Sequence, residues 1–216
     1  MNTRPLTRAE LAQRVATDIP SGSYVNLGIG LPTSVANYLQ PNQDVILHTE
    51  NGLLGMGPEA HGQDIDADLI NAGKVPVTET LGASYFHHAD SFGMMRGGHL
   101  DIAVLGAFQV SKPGDLANWH TGQPGAIPAV GGAMDLAVGA KSVFVMMELL
   151  TKTGNSKLVE TLSYPLTGLR CVSRIYTDLA IFTIDAHSGL CVTELFGTTI
   201  DALREVTAIP FIDTTN

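Results

Sequence analysis

The sequence predicts an α/β fold built on an open, mostly parallel sheet with flanking helices. Strand-like and helix-like segments alternate along the chain, as they do in parallel sheets with helical crossovers. Hydrophobic residues make up 44% of the 216 residues and charged residues only 15%, a balance typical of a packed globular core. The 23 glycines and 11 prolines indicate many tight loops. No repeat or linker divides the chain, so residues 1–216 are predicted to form one domain.

The first strand–helix–strand unit lies near the N-terminus. Leu11, Val15 and Ile19 recur at four-residue spacing, which predicts an amphipathic helix before the first strand. Pro32 suits the first turn of the next helix, because the N–H that it lacks would have no partner there. The predicted order is helix 7–19, strand 24–28, helix 32–39 and strand 44–48.

The remainder of the chain continues the same alternation around one long connection. Residues 110–130 are rich in Gly, Pro and Asn without a clear period, which predicts a long ordered loop of functional importance. We expect Trp119 to pin this loop by packing. Further strands are predicted at 102–105, 142–147, 179–184 and 190–194, and further helices at 133–140 and 200–206.

Composition and charge exclude several classes of function. The formal net charge is -9, and the 12 basic residues are spread too thinly to neutralise a run of phosphates, so nucleic-acid binding is not expected. The chain has no apolar stretch of about 18 residues, so no membrane span is expected. Its first residues lack the pattern of a secretory signal, and we predict a cytoplasmic location.

The cysteines and histidines do not form a recognisable metal or nucleophile motif. Cys171 and Cys191 lie on apolar segments and are predicted to be buried free thiols. His87 and His88 would point to opposite faces of a strand, and neither an HExxH pattern nor a Cys/His cluster is present, so no metal site is expected. A serine hydrolase and a P-loop NTPase also lack their signature motifs.

Two glycine-rich turns could present backbone N–H groups to an anion. Gly28 and Gly30 stand between a predicted strand and a predicted helix. The third glycine of a dinucleotide-binding fingerprint is absent there. Gly131 and Gly132 precede the predicted helix 133–140 and could donate to a developing oxyanion. From the residues alone, a purely structural turn is an equal alternative for either pair.

Glu50 follows the predicted strand 44–48 and precedes an Asn-Gly pair, which places a carboxylate on a sharp turn. Ligands of open α/β sheets bind at the carboxyl ends of the strands. A solvated loop glutamate is the alternative, but two observations favour function. The flanking residues are apolar, and the turn at Gly28 and Gly30 ends the preceding strand of the same unit. Both loops should therefore lie at one edge of the sheet.

The segment His48-Thr-Glu50-Asn-Gly52-Leu-Leu-Gly55 resembles the Ser-Glu-Asn-Gly signature of the B subunits of family I 3-oxoacid CoA-transferases. The similarity is co-linear along nearly the whole chain, which is more specific than any single motif. Residues 84–92 and 107–110 are most similar to the 3-oxoadipate branch of this family. Thr49 departs from the usual Ser but retains the hydroxyl. The other similar segments are 26–32, 70–74, 96–101, 114–119, 131–136 and 164–168.

The resemblance implies roles for particular residues and for a partner. Glu50 becomes the nucleophile, and the N–H of Gly131 serves the oxyanion hole. A separately encoded A subunit of similar fold is implied, in an A2B2 heterotetramer with the active site at the A/B interface. CoA is expected as a substrate and covalent intermediate, with no permanently bound cofactor. The predicted CoA-binding residues, with the glycine turns included, are Asn26, Gly28, Gly30, Lys74 and Gly132.

The activity implied is transfer of CoA from succinyl-CoA to a 3-oxo acid, which we expect to be 3-oxoadipate. Attack of Glu50 on the thioester and capture of the acylated Glu50 by the released thiolate predict ping-pong kinetics through a glutamyl-CoA thioester. The alternatives are an acetoacetate-specific transferase of the same family, an acyl-CoA hydrolase and a metabolite-sensing protein without catalysis. A dicarboxylate needs a second cationic contact, for which Arg96, Lys112 and Arg170 are candidates by charge alone, unless the partner chain supplies it.

Overall fold

The computed structural model describes residues 4–123, 125, 130–185 and 187–215. The strands are β1 (Tyr24–Leu27), β2 (Ile46–Thr49), β3 (Leu53–Glu59), β4 (Val77–Tyr85), β5 (Ile102–Leu105), β6 (Gln109–Ser111), β7 (Leu116–Ala117), β8 (Ser142–Met146), β9 (Leu158–Val159), β10 (Val172–Tyr176), β11 (Ala180–Asp185), β12 (Gly189–Leu195) and β13 (Ile212–Asp213). The α-helices are α1 (Arg8–Asp18), α2 (His88–Arg96), α3 (Ala133–Gly139) and α4 (Ile200–Thr207), and short 3₁₀ helices lie at Leu31–Tyr38, Pro41–Gln43 and Gly62–Asp64.

Ten strands form one open sheet in the order β13-β12-β11-β10-β8-β5-β1-β2-β3-β4. Its centre, β10-β8-β5-β1-β2, is parallel throughout. Antiparallel pairs extend the sheet on both sides, from β2 through β3 to β4 and from β10 through β11 to β12. The predicted fold class, an open and mostly parallel sheet with flanking helices, is therefore confirmed.

The central strands are buried on both faces, as the alternation along β5 demonstrates. Ile102 and Val104 belong to the core cluster that also contains α1 and the 3₁₀ helix Leu31–Tyr38. Ala103 and Leu105 point to the opposite cluster, with residues of α2, α3 and α4. Successive side chains of a strand face opposite sides of the sheet, so an unbroken apolar run is what a doubly covered strand requires.

The first predicted helix is confirmed, and the second is a 3₁₀ helix. Thr7 caps α1 through a reciprocal capping box with Glu10. In the segment Leu31–Tyr38, the hydroxyls of Thr33 and Ser34 donate to the carbonyls three residues earlier, at 2.7 Å each. These short-range bonds and the β-branched residues of the segment favour the tighter winding over an α-helix.

The prediction of one long loop over residues 110–130 is wrong in its first part. β6 and β7 lie there and form a small sheet with β9 that packs into the core through Val110, Leu116 and Leu158. The indole Nε1 of Trp119 donates to the carbonyl of Leu166 at 3.1 Å, a hydrogen bond that ties Trp119 to residue 166, whereas pinning of the loop by packing stays a prediction. Residues 124 and 126–129 of the predicted loop lie outside the described residues. β3, β4, β10 and α2 were not predicted from the sequence.

Other expectations concern the histidine pair, the cysteines and the membrane. His87 and His88 begin a helix and do not lie on a strand; His87 is the N-cap of α2 and accepts a hydrogen bond from the N–H of Ala89. Both cysteines are free; Cys191 is buried, and Cys171 is half-buried. In the part of the chain that the structure describes, no helix has the length and apolar character needed to cross a bilayer.

Packing of α3 on α2 requires a glycine at the end of α3. A Cβ on Gly139 would overlap the carbonyl oxygen of Met95 and lie 2.7 Å from its carbon. We expect Gly139→Ala to lower the free energy of unfolding by about 1–3 kcal/mol, because backbone atoms must move apart. Gly93→Ala, in the exposed middle of α2 with no atom near the added Cβ, should raise it by about 0.5–1 kcal/mol. Urea unfolding of both variants checks the pair, and equal effects would contradict this account of the helix contact.

Candidate active site

A cavity of about 500 Å³ opens where four neighbouring parallel strands end. β1 and β2 are in register, with Asn26 opposite His48, so the turns that follow these strands meet at one edge of the sheet, as predicted. Ligand sites in open α/β sheets occupy the same position. The cavity is lined by the last residues of the four strands and by residues just after them, namely Leu27 and Gly28, Thr49 and Glu50, Leu105 and Gly106, and Met146 and Met147.

Glu50 stands on a tight hairpin turn between β2 and β3. The N–H of Leu53 donates to the hydroxyl of Thr49 at 3.1 Å, and the N–H of Gly52 donates to the carbonyl of Thr49 at 3.2 Å. Gly52 has a φ of 103°, and a Cβ there would overlap the carbonyl oxygen of Phe86. The threonine that replaces the usual serine thus keeps a structural use for its hydroxyl. These two hydrogen bonds and the close approach of Gly52 to Phe86 fix the turn, which presents a half-buried Glu50 to the cavity.

The Glu50 carboxylate lies against the backbone that leads into α3. A Cβ on Gly132 would overlap Glu50 Oε2, and a Cβ on Gly131 would be 3.8 Å from Oε1. Gly131 also has a φ of 49°, in the left-handed region. Among the described residues, the N–H groups of Gly131 and Gly132 have no acceptor. The fold therefore brings both predicted glycines into contact with a carboxylate that is distant from them in sequence.

The predicted CoA-binding residues are distributed around this contact. Gly28 lines the cavity, but its N–H donates to the carbonyl of Val104 at 2.8 Å, so it is not available to an anion. Gly30 has a φ of 94° and does not line the cavity, although both of its neighbours do. Lys74 is exposed and follows the cavity-lining turn 71–73. It adopts a left-handed φ of 63°, which is uncommon for a lysine.

Asn26 lines the cavity and begins a chain of buried hydrogen bonds. Its Nδ2 is 3.0 Å from His48 Nδ1 and donates to the His48 carbonyl at 3.1 Å. His48 Nε2 is 2.9 Å from the hydroxyl of Ser91, which donates to the carbonyl of Thr49 at 2.9 Å. Because the amide of Asn26 donates to Nδ1, the neutral imidazole carries its proton on Nε2. The chain ends on the peptide that precedes Glu50, and no sequence motif predicted its Ser91 member.

Among the described residues, the charges in the cavity come from four side chains, those of Arg8, Glu50, Glu148 and Lys157. Arg8 donates from both Nε and Nη2 to Glu148 Oε1, at 3.0 and 2.9 Å. The three basic residues proposed from the sequence for a second carboxylate contact do not line the cavity, and two of them are paired elsewhere, Arg96 with Asp135 and Lys112 with Glu160. Within the described ranges, no group of three or more His, Cys, Asp or Glu residues is arranged to hold a metal ion.

His48 should make the stability of the fold depend on pH. Burial lowers the pKa of His48 from 6.5 to about 4. Between these values the unfolded chain binds a proton that the folded chain excludes, so the free energy of unfolding rises with pH. The contribution of His48 to stability is lost as the pH falls from 6.5 towards 4. We expect His48→Asn to remove up to about 1.4 kcal/mol per pH unit of this slope.

Urea unfolding at several pH values measures the slope. The exposed His61, replaced by Asn, is the control for loss of an imidazole elsewhere. The same slope in the wild type and in His48→Asn would contradict the assignment.

Comparison with known proteins agrees with this geometry. A model of the coenzyme A transferase family matches residues 8–202. The B subunit of the 3-oxoadipate CoA-transferase of Pseudomonas putida is 64% identical over 211 residues, which cover 97% of this chain and 98% of that protein. The B subunit of a probable succinyl-CoA:3-ketoacid coenzyme A transferase of Bacillus subtilis is 49% identical over 206 residues, 94% of either chain.

A solved structure supports the same assignment at the level of the fold. The glutaconate coenzyme A-transferase of Acidaminococcus fermentans has a TM-score of 0.72 and 18% identity, and the match covers 98% of this chain and 88% of that one. The family match spans both the Glu50 turn and the glycine pair before α3. This chain therefore belongs to the coenzyme A transferase family.

Proposed function

We propose that this chain is the B subunit of a CoA-transferase that moves CoA from succinyl-CoA to 3-oxoadipate, with Glu50 as the nucleophile. The observation that carries the proposal is the Glu50 carboxylate, which lies against Gly131 and Gly132 inside a cavity at the carboxyl ends of the parallel strands. The choice of 3-oxoadipate is supported by 64% identity to a B subunit that is named for that substrate.

The proposed reaction proceeds through two acyl derivatives of Glu50. A carboxylate oxygen of Glu50 attacks the thioester carbonyl, the C–S bond breaks, and a mixed anhydride and CoA thiolate are formed. The thiolate then attacks Cδ of Glu50, the anhydride C–O bond breaks, and succinate leaves behind a glutamyl-CoA thioester. The acceptor carboxylate attacks the same Cδ and expels the thiolate, which finally attacks the acceptor's acyl carbon and releases Glu50. Each step exchanges one acyl–heteroatom bond for another, so no redox partner is required.

The backbone around Gly131 supplies the rate enhancement in this proposal. Each of the four additions passes through a tetrahedral intermediate with negative charge on an oxygen close to Glu50, and N–H donors fixed beside it can contribute about 3–4 kcal/mol. A cavity of about 500 Å³ fits an acyl group and the end of the pantetheine arm. The rest of CoA must lie outside it, near the turn 71–73 and Lys74, where its binding energy can hold the thioester against Glu50.

The partner in this proposal is an A subunit, since the similar proteins are themselves named as B subunits. We propose an A2B2 complex in the cytoplasm with the active site at the A/B contact, in which residues 1–216 act as one domain.

A second candidate function is CoA transfer to acetoacetate, favoured by the 49% identity to a B subunit named for succinyl-CoA:3-ketoacid transfer. Hydrolysis of the thioester would use the same nucleophile with water as the acceptor.

The nucleophile can be tested by its covalent intermediate. After co-expression with a candidate A subunit, the complex is mixed with succinyl-CoA, and the intact mass of this chain is measured. We expect a mass increase of one CoA minus water in the wild type and none in Glu50→Gln, which should lose transfer by at least about 10⁴-fold because it cannot attack the thioester. Glu59→Gln, on β3 after the same hairpin turn, is the matched control.

Several outcomes would decide between the candidate functions. An adduct in Glu50→Gln would exclude Glu50 as the nucleophile. An acceptor panel of 3-oxoadipate, acetoacetate and water separates the activities: strong preference for acetoacetate would replace the acceptor, and loss of total thioester without an acceptor acid would indicate a hydrolase.

The contact between Glu50 and Gly132 predicts a second activity loss. The backbone of Gly132 has φ -87° and ψ 7°, which alanine tolerates, but the added Cβ would displace Glu50 Oε2 and lie 3.4 Å from Phe92. We expect Gly132→Ala to slow adduct formation by about 100-fold, because the carboxylate is moved from its attacking position. Gly93→Ala controls for an added methyl group outside the cavity. Wild-type rates in Gly132→Ala would contradict the proposed contact.

A further inference from the structure

Among the described residues, one of the basic side chains that line the Glu50 cavity has no protein partner for its charge. Of the two basic residues that line the cavity, Arg8 is paired with Glu148 through two hydrogen bonds. The ammonium group of Lys157 makes neither an ion pair nor a hydrogen bond within the part of the chain that the structure describes. Of the cations that the described residues bring to this cavity, Lys157 is therefore the one available to an anionic ligand.

The backbone of Lys157 is held in place by the small sheet. Its N–H donates to the carbonyl of Leu149, and its carbonyl accepts from the N–H of Val110, both at 2.9 Å. The next residue, Leu158, is fully buried in the core. Lys157 itself is half-buried. The backbone position from which this charged side chain starts is therefore fixed before a ligand binds.

The remainder of the cavity wall suits a short acyl chain with two polar ends. Met56, Leu136 and Met146 give it apolar surface, which methylene groups can contact. A dicarboxylic acyl group placed with one end at Glu50 brings its other carboxylate into the same cavity. Removal of that carboxylate from water is costly unless a cation receives it.

We propose that Lys157 binds the distal carboxylate of the dicarboxylic substrates, both the succinyl group of the donor and the far end of a dicarboxylic acceptor. The inference rests on the proposed function, whose site it completes. It makes Lys157 a specificity residue: dicarboxylic acyl groups use it, and a monocarboxylic 3-oxo acid such as acetoacetate has no group for it.

The test compares substrate classes in the assembled A2B2 complex. Lys157→Met removes the charge at similar length, and Lys157→Arg retains it. Lys152→Met is the matched control, because Lys152 is also unpaired among the described residues, lies five positions away and does not line the Glu50 cavity. Ping-pong kinetics give a separate kcat/KM for each donor and acceptor, so the half-reactions can be measured one at a time.

We expect Lys157→Met to lower kcat/KM for succinyl-CoA and for 3-oxoadipate by about 10- to 100-fold, the effect of losing a hydrogen bond to a charged group. Acetoacetyl-CoA and acetoacetate should stay within about twofold of the wild type. Lys157→Arg should recover most of the loss, and Lys152→Met should match the wild type. An equal loss with dicarboxylic and monocarboxylic substrates, or no loss at all, would overturn the proposal.

A binding measurement separates this proposal from the proposed activity. Isothermal titration of the complex with succinate and with butyrate requires no turnover. Tighter binding of succinate that disappears in Lys157→Met would support the subsite even if the wild-type complex transferred no CoA, an outcome that would reject only the proposed reaction. Equal affinity of the wild-type complex for the two acids would reject the subsite, whatever the kinetics.

Discussion

The contact of the Glu50 carboxylate with the backbone at Gly131 and Gly132 is the interaction on which the geometry of the site depends. It joins a hairpin turn after β2 to the start of α3, two segments that reach the cavity from different layers of the fold. No side chain larger than hydrogen fits at Gly132 without displacing the carboxylate. The parallel pairing of β1 with β2 and β5 holds the Glu50 turn at the edge of the sheet where α3 begins.

The buried chain from Asn26 through His48 and Ser91 extends this constraint beneath the nucleophile. It links β1, β2 and α2 and ends at the peptide bond before Glu50. A fully satisfied polar network in a core specifies one arrangement, since any shift leaves a buried group unpaired. The low pKa of His48 reflects the same burial, so the neutral imidazole that orders the network is also the form that the fold stabilises.

Four of the five central strands, β1, β2, β5 and β8, could be predicted from the sequence because they are largely apolar segments between clear turn signals. The fifth, β10, was not predicted because Ser173 and Arg174 interrupt its apolar residues. β3 was missed because two glycines and a proline interrupt it, and β4 because its residues are mostly exposed and show no strand period. The sequence predicts a loop over residues 110–130 because β6 and β7, with only three and two residues, are too short to show a strand pattern.

Within the site, Glu50 and the glycine pair were predicted because motif and resemblance agreed. Lys157 and Ser91 carry no local motif, and only the packing of distant segments brings them to the cavity and its supporting network. Pairing of Arg96 and Lys112 on the surface removed two of the candidates that charge alone had favoured. Such pairing depends on which segments become neighbours, and a charge count along the chain does not contain that information.

The charges that line the cavity have a consequence for the order of events in the proposed reaction. The positive charges of Arg8 and Lys157 equal in number the negative charges of Glu148 and Glu50. The cavity without substrate is therefore formally neutral, although the chain as a whole is acidic. When Glu50 is converted to the glutamyl-CoA thioester, its negative charge disappears, and the positive charge of Lys157 is left uncompensated. Opposite charges at short range attract most strongly where water is excluded. The cavity is thus most attractive to a dicarboxylate after the donor acid has left, which is the moment at which the acceptor must bind, and it becomes less so once transfer restores the Glu50 carboxylate.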